Sequence, residues 1–431
     1  MSKKIAVVSL GCDKNRIDTE KMLWYLSSGD YVVTSDYSEA DIIIVNTCAF
    51  IESARQEAID TIIEMAEYKR RGSAEKLIVT GCLVEKYKDE LSVGIPEADA
   101  FLGIGEYEKI RACLEDGASA AEKDDGRILT TPPHYAYLRI ADGCDNFCTF
   151  CTIPSIRGKY RSRTKESLLA EAEELCSRGV SELILIAQDV TGYGKDLYGR
   201  PQLTELVRKL SELNFKWIRL MYCYPELVTD ELIDEIAENS KVAKYIDIPM
   251  QHVADSVLKR MNRRSSHRQL CALCERLIDR RIALRTTFMV GFPGETQEDF
   301  NELIEFTDRY KPYNLGIFAY SREQGTPSAR LKNQIPKAEK VKRVNALGKT
   351  ALSNVRKLNS SIVGKVIEVV YEDVDYERGM FRGRTQYSAP EIDGNVYFTG
   401  SFADVGNYYK VKITGYDDYD LIGELVNEFT D

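Results

Sequence analysis

Short apolar runs alternate with amphipathic stretches through the first part of the chain. The runs read KIAVVSLG, DIIIVNT and KLIVTG, and helical periodicity lies between them at residues 18–26 and 53–70. Strands that alternate with helices are typical of a parallel sheet that is covered on both faces. The pattern therefore predicts a doubly wound α/β domain over residues 1–130.

A second alternation of the same kind occupies residues 131–360. Six runs have strand character, namely AYLRI, ELILIAQ, WIRLMY, YIDIPM, LRTTFMVGF and LGIFAY. Six strand-helix steps predict a full or partial parallel barrel, and the proline-containing segment KDDGRILTTPPHYAY is the predicted linker before it. From residue 361 the pattern changes to β-rich runs with glycine turns, such as GNVYFTG, which predicts a small antiparallel barrel over 361–431.

Composition narrows the class of protein and its compartment. A chain of 431 residues with 44% hydrophobic and 29% charged residues can form two or three folded domains. No apolar run reaches the roughly 18 residues of a membrane span, and no signal-peptide pattern precedes the first strand, so we expect a cytoplasmic protein without membrane association. In a reducing compartment, 11 cysteines favour metal ligands and buried thiols over disulfides.

The negative charge is concentrated at the carboxyl end. Residues 361–431 contain 14 acidic and 6 basic side chains, in a chain whose net charge is -10. An acidic domain repels nucleic acid and attracts basic proteins. The preceding residues 330–360 are strongly basic; a solvated helix face is the favoured interpretation, and a contact with RNA is the alternative.

Three cysteines of the first domain directly follow predicted strands. Cys12, Cys48 and Cys82 each stand just beyond the carboxyl end of a strand, where open α/β sheets gather their ligands. Thiolates are soft ligands that suit iron-sulfur clusters or zinc. A small apolar residue in a turn is the alternative for any one of them. Three equivalent positions favour a shared metal site.

Three more cysteines lie close together in the second region. Cys144, Cys148 and Cys151 follow its first strand, at the rim where parallel barrels carry their active sites. Their C-x3-C-x2-C spacing differs from the usual ferredoxin and zinc spacings. Three thiolates on a four-iron cube would leave one iron open to a small molecule. A structural zinc site is the alternative, but the nearest histidine, His134, precedes the strand.

The stretch AYLRIADGCDNFCTFCTIPSIRGKYRSR resembles the cluster loop of radical S-adenosylmethionine (SAM) enzymes. The whole chain resembles the methylthiotransferases of that superfamily, through SLGCDKNRIDTE, NTCAFIESA, QHVADSVLKRMNRR, TTFMVGFPGET and GRTQYSAPEIDGNVY. The resemblance implies a radical SAM core over 131–360 and a TRAM domain over 361–431. It also implies two 4Fe-4S clusters. One, on Cys144, Cys148 and Cys151, would bind SAM; the other, on Cys12, Cys48 and Cys82, would carry the sulfur to be inserted.

The same resemblance implies an activity. Reductive cleavage of SAM gives a 5′-deoxyadenosyl radical that can take hydrogen from an unactivated carbon. The chain is most similar to members that methylthiolate an aspartate β-carbon of ribosomal protein uS12, free or in the small subunit, with flavodoxin or ferredoxin as electron donor. A transfer-RNA methylthiotransferase acting on an anticodon-loop adenosine and a non-catalytic iron-sulfur redox protein are the alternatives. The acidic carboxyl-terminal domain favours the protein substrate.

Five further residues are predicted to contact SAM. Phe150 precedes the last cysteine of the loop, and Gln188 and Asp189 stand where related enzymes hold the methionine part of SAM; turn capping is the alternative for the latter two. Val290 begins VGFPGE, whose glycines would let the backbone approach the adenine of SAM. A simple turn between a strand and a helix is the alternative for this stretch. Arg219 is expected to point into the barrel, where a charge needs an anionic partner, either the cofactor carboxylate or a buried ion pair.

Overall fold

The first domain is a parallel sheet with helices on both faces. We describe it from a computed structural model, which describes residues 2–27, 29–114 and 126–426. The strands are β1 (Lys3–Ser9), β2 (Tyr31–Val33), β3 (Ile42–Thr47), β4 (Lys76–Gly81) and β5 (Ala100–Leu102), in the order β2-β1-β3-β4-β5. The helices are α1 (Asp13–Ser27), α2 (Glu52–Arg70), α3 (Cys82–Gly94) and α4 (Ile110–Leu114).

The central strand β3 shows why the sheet is doubly wound. All six of its residues are buried. Because side chains alternate between the faces of a strand, Ile43 and Val45 pack in one apolar core with α2 and α3, while Ile42 and Ile44 pack in another with α1 and α4. The predicted fold class is confirmed for this domain. Helix α1 begins at Asp13, five residues before the predicted start at residue 18.

The second domain is an open, six-stranded, all-parallel sheet. Its strands are β6 (Tyr135–Arg139), β9 (Glu182–Ile186), β10 (Trp217–Leu220), β11 (Val242–Gln251), β12 (Ala283–Val290) and β13 (Asn314–Ala319), in the order β13-β12-β11-β10-β9-β6. A short antiparallel pair, β7 (Ala141–Asp142) and β8 (Arg161–Ser162), follows β6. The helices are α5 (Ile153–Ile156), α6 (Lys165–Ser177), α7 (Lys195–Tyr198), α8 (Leu203–Ser211), α9 (Asp230–Glu238), α10 (Asp255–Arg260), α11 (His267–Asp279), α12 (Gln297–Tyr310) and α13 (Lys337–Ser360). This confirms the predicted partial barrel.

The third domain is a closed five-stranded barrel. Its strands are β14 (Val366–Asp375), β15 (Met380–Arg384), β16 (Val396–Thr399), β17 (Tyr408–Asp417) and β18 (Asp420–Leu425), in the order β14-β15-β16-β18-β17. The prediction of a purely antiparallel barrel is wrong for one pair, because β16 and β18 run parallel. Strand direction cannot alternate all the way around a closed ring of five, so one parallel pair is unavoidable. Residues 427–431 of the predicted acidic domain lie outside the described residues.

A loop of the third domain fills the inner face of the open sheet. We call residues 385–395 the plug loop. Its Ala389 packs among Tyr137 and Ile184 of the sheet and Ile17 of α1. Glu391 of the loop accepts a hydrogen bond from Arg16 of α1 at 2.8 Å. The plug loop and α1 therefore cover the inner face of the open sheet.

The predicted linker is a packed segment where it is described. Its first three residues, 123–125, lie outside the described residues. Arg127 is buried, and its Nη1 donates to Oε2 of Glu20 in α1 at 2.9 Å. Its Nη2 donates to the main-chain oxygen of Tyr137 in β6 at 2.5 Å. This arginine therefore joins the first domain to the second. Within the described residues, no helix combines the length and apolarity that crossing a membrane would require.

Candidate iron-sulfur and SAM site

The loop between β7 and β8 carries the first group of cysteines. We call Cys144, Cys148 and Cys151 the radical triad. The loop is closed on itself, since the backbone nitrogen of Cys144 donates to the oxygen of Gly158 at 3.1 Å and that of Cys151 donates to Cys148 at 3.0 Å. Gly143 precedes the triad at a φ of +78°, and a β-carbon there would meet the main-chain oxygen of Lys159 at 2.1 Å. Only glycine fits at this position.

The second group of cysteines lies at the carboxyl edge of the first sheet. We call Cys12, Cys48 and Cys82 the auxiliary triad. They follow β1, β3 and β4, which are neighbours in the sheet, so the three cysteines lie at the same edge of the sheet. Gly11 has a φ of +93°, and a β-carbon there would lie 2.9 Å from Cβ and 3.1 Å from Sγ of Cys48. The chain therefore packs tightly beside Cys48, and the shared metal site stays a prediction.

Burial differs among the six thiols: Cys82 is buried, Cys12 is exposed and the other four are half-buried. Burial is the main cause that raises the pKa of Cys82 to about 12; the Arg157 guanidinium opposes this rise, and the neighbouring Cys12 and Cys48 add to it. In the radical triad, burial is again the main cause, and it raises the pKa of Cys144 to about 11 and of Cys151 to about 12. Thiols of this kind are protonated at neutral pH. Iron would bind them as thiolates, with release of protons.

The donor sets fit iron-sulfur clusters better than a single metal ion. All six cysteines are free thiols. Among the described residues, no three Cys, His, Asp or Glu side chains are grouped closely enough to surround one ion. A zinc site requires such a grouping, whereas the thiolates of a four-iron cube each bind a different iron and stand farther apart. Three soft thiols at each site suit iron-sulfur ligation, and a 4Fe-4S cluster on each triad stays a prediction.

Two polar side chains, Tyr224 and Arg263, lie beside Cys148. Its Sγ lies 3.4 Å from the hydroxyl oxygen of Tyr224 and 3.9 Å from Nη1 of Arg263. The Arg263 guanidinium also stacks on the Tyr224 ring, 3.8 Å from its centre. Tyr224 follows β10, so it reaches the rim where the radical triad lies. Arg263 stands in MNRR, and nothing in that pattern distinguishes it from a surface cation.

Gln188 and Asp189 lie beside the radical triad. Nε2 of Gln188 donates to Oδ1 of Asp142 at 2.8 Å, and its Oε1 is buried without a hydrogen-bond partner among the described residues. Because buried acceptors are nearly always paired, this oxygen fits a donor such as the amino group of SAM. Asp189 accepts from Nδ2 of Asn146 at 2.8 Å and from Oγ1 of Thr191 at 2.6 Å. Asp189 therefore orients the cluster loop.

Phe150 and Val290 lie on the apolar side of the same rim. The Phe150 ring packs edge-on against Phe292, with 6.4 Å between ring centres. Val290 is fully buried at the end of β12, and its main-chain oxygen accepts from the nitrogen of Tyr320 at 2.9 Å. Phe150 packs against the apolar cluster that contains Phe292, whereas Val290 belongs to the main core of the domain. Their contact with SAM stays a prediction.

Arg219 lies on the inner face of the sheet, but it does not approach the radical triad. Its Nε donates to Oε1 of Glu182 at 2.7 Å, and its Nη1 donates to the main-chain oxygen of Gln386 in the plug loop at 2.9 Å. Glu182 begins β9, at the end of the sheet opposite to the rim. The prediction that Arg219 contacts the cofactor is therefore wrong. Its guanidinium is engaged in the buried ion pair that was the alternative.

Arg157 joins the loop of the radical triad to the domain of the auxiliary triad. Its Nη2 donates to Oδ2 of Asp18 and to Oδ1 of Asn15, both at 2.8 Å. Nη1 lies 3.2 Å from Oδ2 of Asp142, which precedes the radical triad. Both triads thus face the same domain interface. Sequence reasoning missed Arg157, although it stands in IPSIRG, six residues after the last cysteine.

A buried lysine lies on the same interface. The Lys14 ammonium is 2.9 Å from the centre of the Tyr222 ring, and burial lowers its pKa. Tyr222 follows β10 with a φ of 60°, and its hydroxyl donates to Oδ2 of Asp13 at 3.0 Å. A non-glycine residue in this left-handed conformation is held there by its surroundings. Helix α1 therefore contacts the rim beside the auxiliary triad.

Known proteins match this arrangement domain by domain. Residues 138–307 match the Radical SAM superfamily, residues 4–103 match the Uncharacterized protein family UPF0004, and residues 363–426 match the TRAM domain. The radical SAM methyltransferase TsrM from Kitasatospora setae has a similar fold, with a TM-score of 0.55 and 13% identity over 76% of this chain and 77% of that chain. The cobalamin-dependent enzyme OxsB matches with a TM-score of 0.51 and 13% identity, over 81% and 56%.

The fold and the radical triad define a radical SAM protein, which carries an iron-sulfur cluster and uses SAM. Two curated relatives are each named ribosomal protein uS12 methylthiotransferase RimO. The relative from Clostridium botulinum (strain Eklund 17B / Type B) is 48% identical over 99% of this chain and 98% of its own length. The relative from Acetivibrio thermocellus is 47% identical over 99% of both chains. This chain belongs to the RimO family of methylthiotransferases.

Proposed function

We propose that this chain methylthiolates the β-carbon of an aspartate in ribosomal protein uS12, giving 3-methylthioaspartate. One observation carries the proposal. Two three-cysteine sites face the same domain interface, joined by Arg157, in a chain that matches RimO relatives of this name over nearly its whole length. A radical SAM reaction alone needs only the radical triad. The auxiliary triad is what a sulfur-inserting enzyme requires in addition.

The residues present would hold two 4Fe-4S clusters. The auxiliary cluster would be held by Cys12, Cys48 and Cys82, and the radical cluster by Cys144, Cys148 and Cys151. When bound, the two clusters and SAM would supply the radical and the sulfur for the reaction. We assign Gln188 to the amino group of SAM through its unpaired Oε1, and Phe150 and Val290 to the apolar part of SAM. Asp189 would act through Asn146, by holding the cluster loop.

Other residues of the chain keep water away from this interface. The plug loop and α1 fill the inner face of the sheet with apolar side chains. Arg127 and Arg157 hold the first domain against the second by buried hydrogen bonds. A reactive radical needs such an enclosure, since exclusion of water and of side reactants prevents its loss. The substrate would therefore enter at the rim, opposite to the plug loop.

The charge distribution supports a basic protein as the substrate. The 14 acidic side chains of residues 361–431 would attract a ribosomal protein and repel RNA phosphates. The basic run before this domain is partly used for packing, because Arg343 is buried against Glu295 and Lys340 donates to the main-chain oxygen of Tyr320. This weakens the case for an RNA contact. A flavodoxin or ferredoxin in the cytoplasm would supply the electron, and the free state of all 11 cysteines supports that compartment.

The test offers both candidate substrates to the same preparation. Anaerobically reconstituted, reduced protein is incubated with SAM, a sulfide source and either uS12 or an anticodon-arm RNA. Mass spectrometry should find a methylthio group on one aspartate of uS12 and none on the RNA. Modification of the RNA alone would instead support a transfer-RNA methylthiotransferase. SAM cleavage without either product would contradict the proposal.

A further inference from the structure

We propose that Arg157, which belongs to the radical SAM domain, is a positioning residue of the auxiliary site. Its guanidinium places a positive charge against the thiolate of Cys82 and thereby raises the reduction potential of the cluster held there. The proposal rests on the proposed function, because it requires a cluster on the auxiliary triad. Arg157 lies outside the first domain, which supplies the three cysteines of the auxiliary triad.

The geometry places a buried guanidinium against one cysteine of the auxiliary triad. Nη2 of Arg157 lies 3.9 Å from Sγ of Cys82. Because Asp18 and Asn15 take both of its hydrogens, this contact acts mainly through the positive charge. The side chain is 1% exposed. The same nitrogen is 2.8 Å from Oδ1 of Asn15, whose Oδ1 also lies 3.5 Å from Sγ of Cys82. Arg157 and Asn15 thus contact Cys82 from one side.

The guanidinium cannot turn away from this position. Asp18 and Asp142 hold its two ends at 2.8 and 3.2 Å. Arg139 pairs with the same two carboxylates, at 2.5 Å from Asp18 and 3.9 Å from Asp142. Two arginines and two aspartates form a balanced group, so neither carboxylate lacks a cation. The planar, rigid fork of arginine suits such a multiple contact, and lysine would lose part of it.

The same group touches the SAM side of the interface. Oδ1 of Asp142 accepts from Nε2 of Gln188 at 2.8 Å, while Oδ2 of Asp142 contacts Arg157. A continuous set of contacts therefore runs from Gln188 through Asp142 and Arg157 to Cys82. Each member has a fixed orientation. The position of Arg157 against the Cys82 thiolate therefore depends on how Gln188 and Asp142 are arranged beside the radical triad.

The physical consequence is electrostatic. Hydrogen bonds to cluster sulfurs and nearby positive charge stabilise the more negative, reduced state, so they raise the reduction potential. The effect is large where the site is buried, since water does not screen it. Loss of the contact from Arg157 should make the auxiliary cluster harder to reduce. The radical cluster should keep its potential.

The test compares two arginines of one group. Arg157→Lys keeps the charge but shortens the reach to Cys82, while Arg139→Lys changes the same ion network without a thiol contact. Full-length protein with both clusters is titrated with reductant and followed by electron paramagnetic resonance. The signal of the auxiliary cluster is the one that does not change when SAM is added. Arg157→Lys should shift its midpoint to more negative potential, and Arg139→Lys should leave it in place.

Two outcomes would overturn the proposal. One is an unchanged auxiliary midpoint in Arg157→Lys at full iron content. The other is an equal shift, or an equal loss of iron, in both variants, which would assign the effect to the shared carboxylates. Loss of half of the iron in Arg157→Lys alone would support the positioning role. The proposed function is tested separately on the unchanged protein. If that protein methylthiolates uS12 but the auxiliary midpoint does not shift in Arg157→Lys, only this inference is rejected. If the midpoint shifts but the unchanged protein gives no product, only the proposed function is rejected.

Discussion

Arg219 and Glu182 form an ion pair that no water reaches, with 2.7 Å between Nε of the arginine and Oε1 of the glutamate. The second carboxylate oxygen of Glu182 binds Arg384, which ends strand β15 of the carboxyl-terminal barrel. Burial alone would raise the pKa of Glu182, but the charges of Arg384 and Arg219 outweigh it and lower the pKa to about 2. This carboxylate therefore joins the second and third domains.

Replacing Glu182 with Gln should destabilise the protein. The change leaves the buried Arg219 guanidinium without its anion and leaves Arg384 paired with Glu372 alone. Breaking a buried pair in this way costs about 3–5 kcal/mol. The free energy of unfolding, obtained from urea titrations followed by circular dichroism, measures the effect. The matched control is Glu368→Gln, whose partner Lys216 is 45% exposed. That variant should lose no more than about 1 kcal/mol, and an equal loss in the two variants would refute the structural role of Glu182.

Replacing one cysteine of each triad should separate two activities. Cys144→Ala should abolish SAM cleavage, because the radical cluster loses one of its three ligands. Cys48→Ala should still cleave SAM but yield no methylthio product, since only the auxiliary site is damaged. Both activities are measured by mass spectrometry after anaerobic reduction. Cys113→Ala, at a half-buried thiol outside both triads, is the control and should behave as the unchanged protein. Normal product from either triad variant would contradict the assignment.

Gln188→Ala should weaken the binding of SAM. Its buried Oε1 has no partner among the described residues, and a hydrogen bond to a charged group contributes about 1.5–3 kcal/mol. The dissociation constant for SAM should therefore rise roughly tenfold to a hundredfold. Equilibrium dialysis on cluster-loaded protein measures it. Gln56→Ala on the exposed side of α2 serves as the control, and an unchanged affinity in Gln188→Ala would exclude this contact.

The acidic barrel should accelerate the encounter with uS12. Glu377, Asp404 and Glu424 are exposed and belong to none of the ion pairs described for this domain. Changing all three to Lys should lower kcat/KM for uS12 by about tenfold at low salt, because electrostatic steering of this kind changes association rates by at least that factor. The difference should shrink as salt is added.

The control for this prediction places the same charge change elsewhere. Glu64, Asp89 and Glu90 are exposed residues of the first domain. Changing these three to Lys alters the net charge equally but leaves the barrel intact. If both triple variants lower kcat/KM alike, the effect belongs to net charge, and the barrel has no special role in recruiting uS12.

The sequence predicted those features that depend on local pattern. Strand β3 is a continuous apolar run, and a buried parallel strand requires one, so the doubly wound sheet and the cysteine after it were predictable. Short edge strands were missed. Strand β2 has three residues, two of them exposed, and its pairing with β1 is set by tertiary contact rather than by pattern.

The features that were missed depend on contacts between distant residues. The alternation of side chains along the strand correctly predicted that Arg219 points to the inner face of the sheet. Its partner could not be predicted, because Glu182 lies 37 positions away and faces Arg219 only after β9 and β10 pair in register. Arg157 reaches Asn15 across 142 positions. A single sequence shows which side chains are charged. It does not show which of them meet at a domain interface.

The most direct measurement of the central claim is the iron and sulfide content of anaerobically reconstituted protein, with and without each triad. Two four-iron cubes require about eight irons per chain. Changing Cys12, Cys48 and Cys82 to Ala should leave about four, and changing Cys144, Cys148 and Cys151 to Ala should also leave about four. A chain that holds only four irons when unchanged, or that keeps all its iron after either triad is removed, would contradict the account.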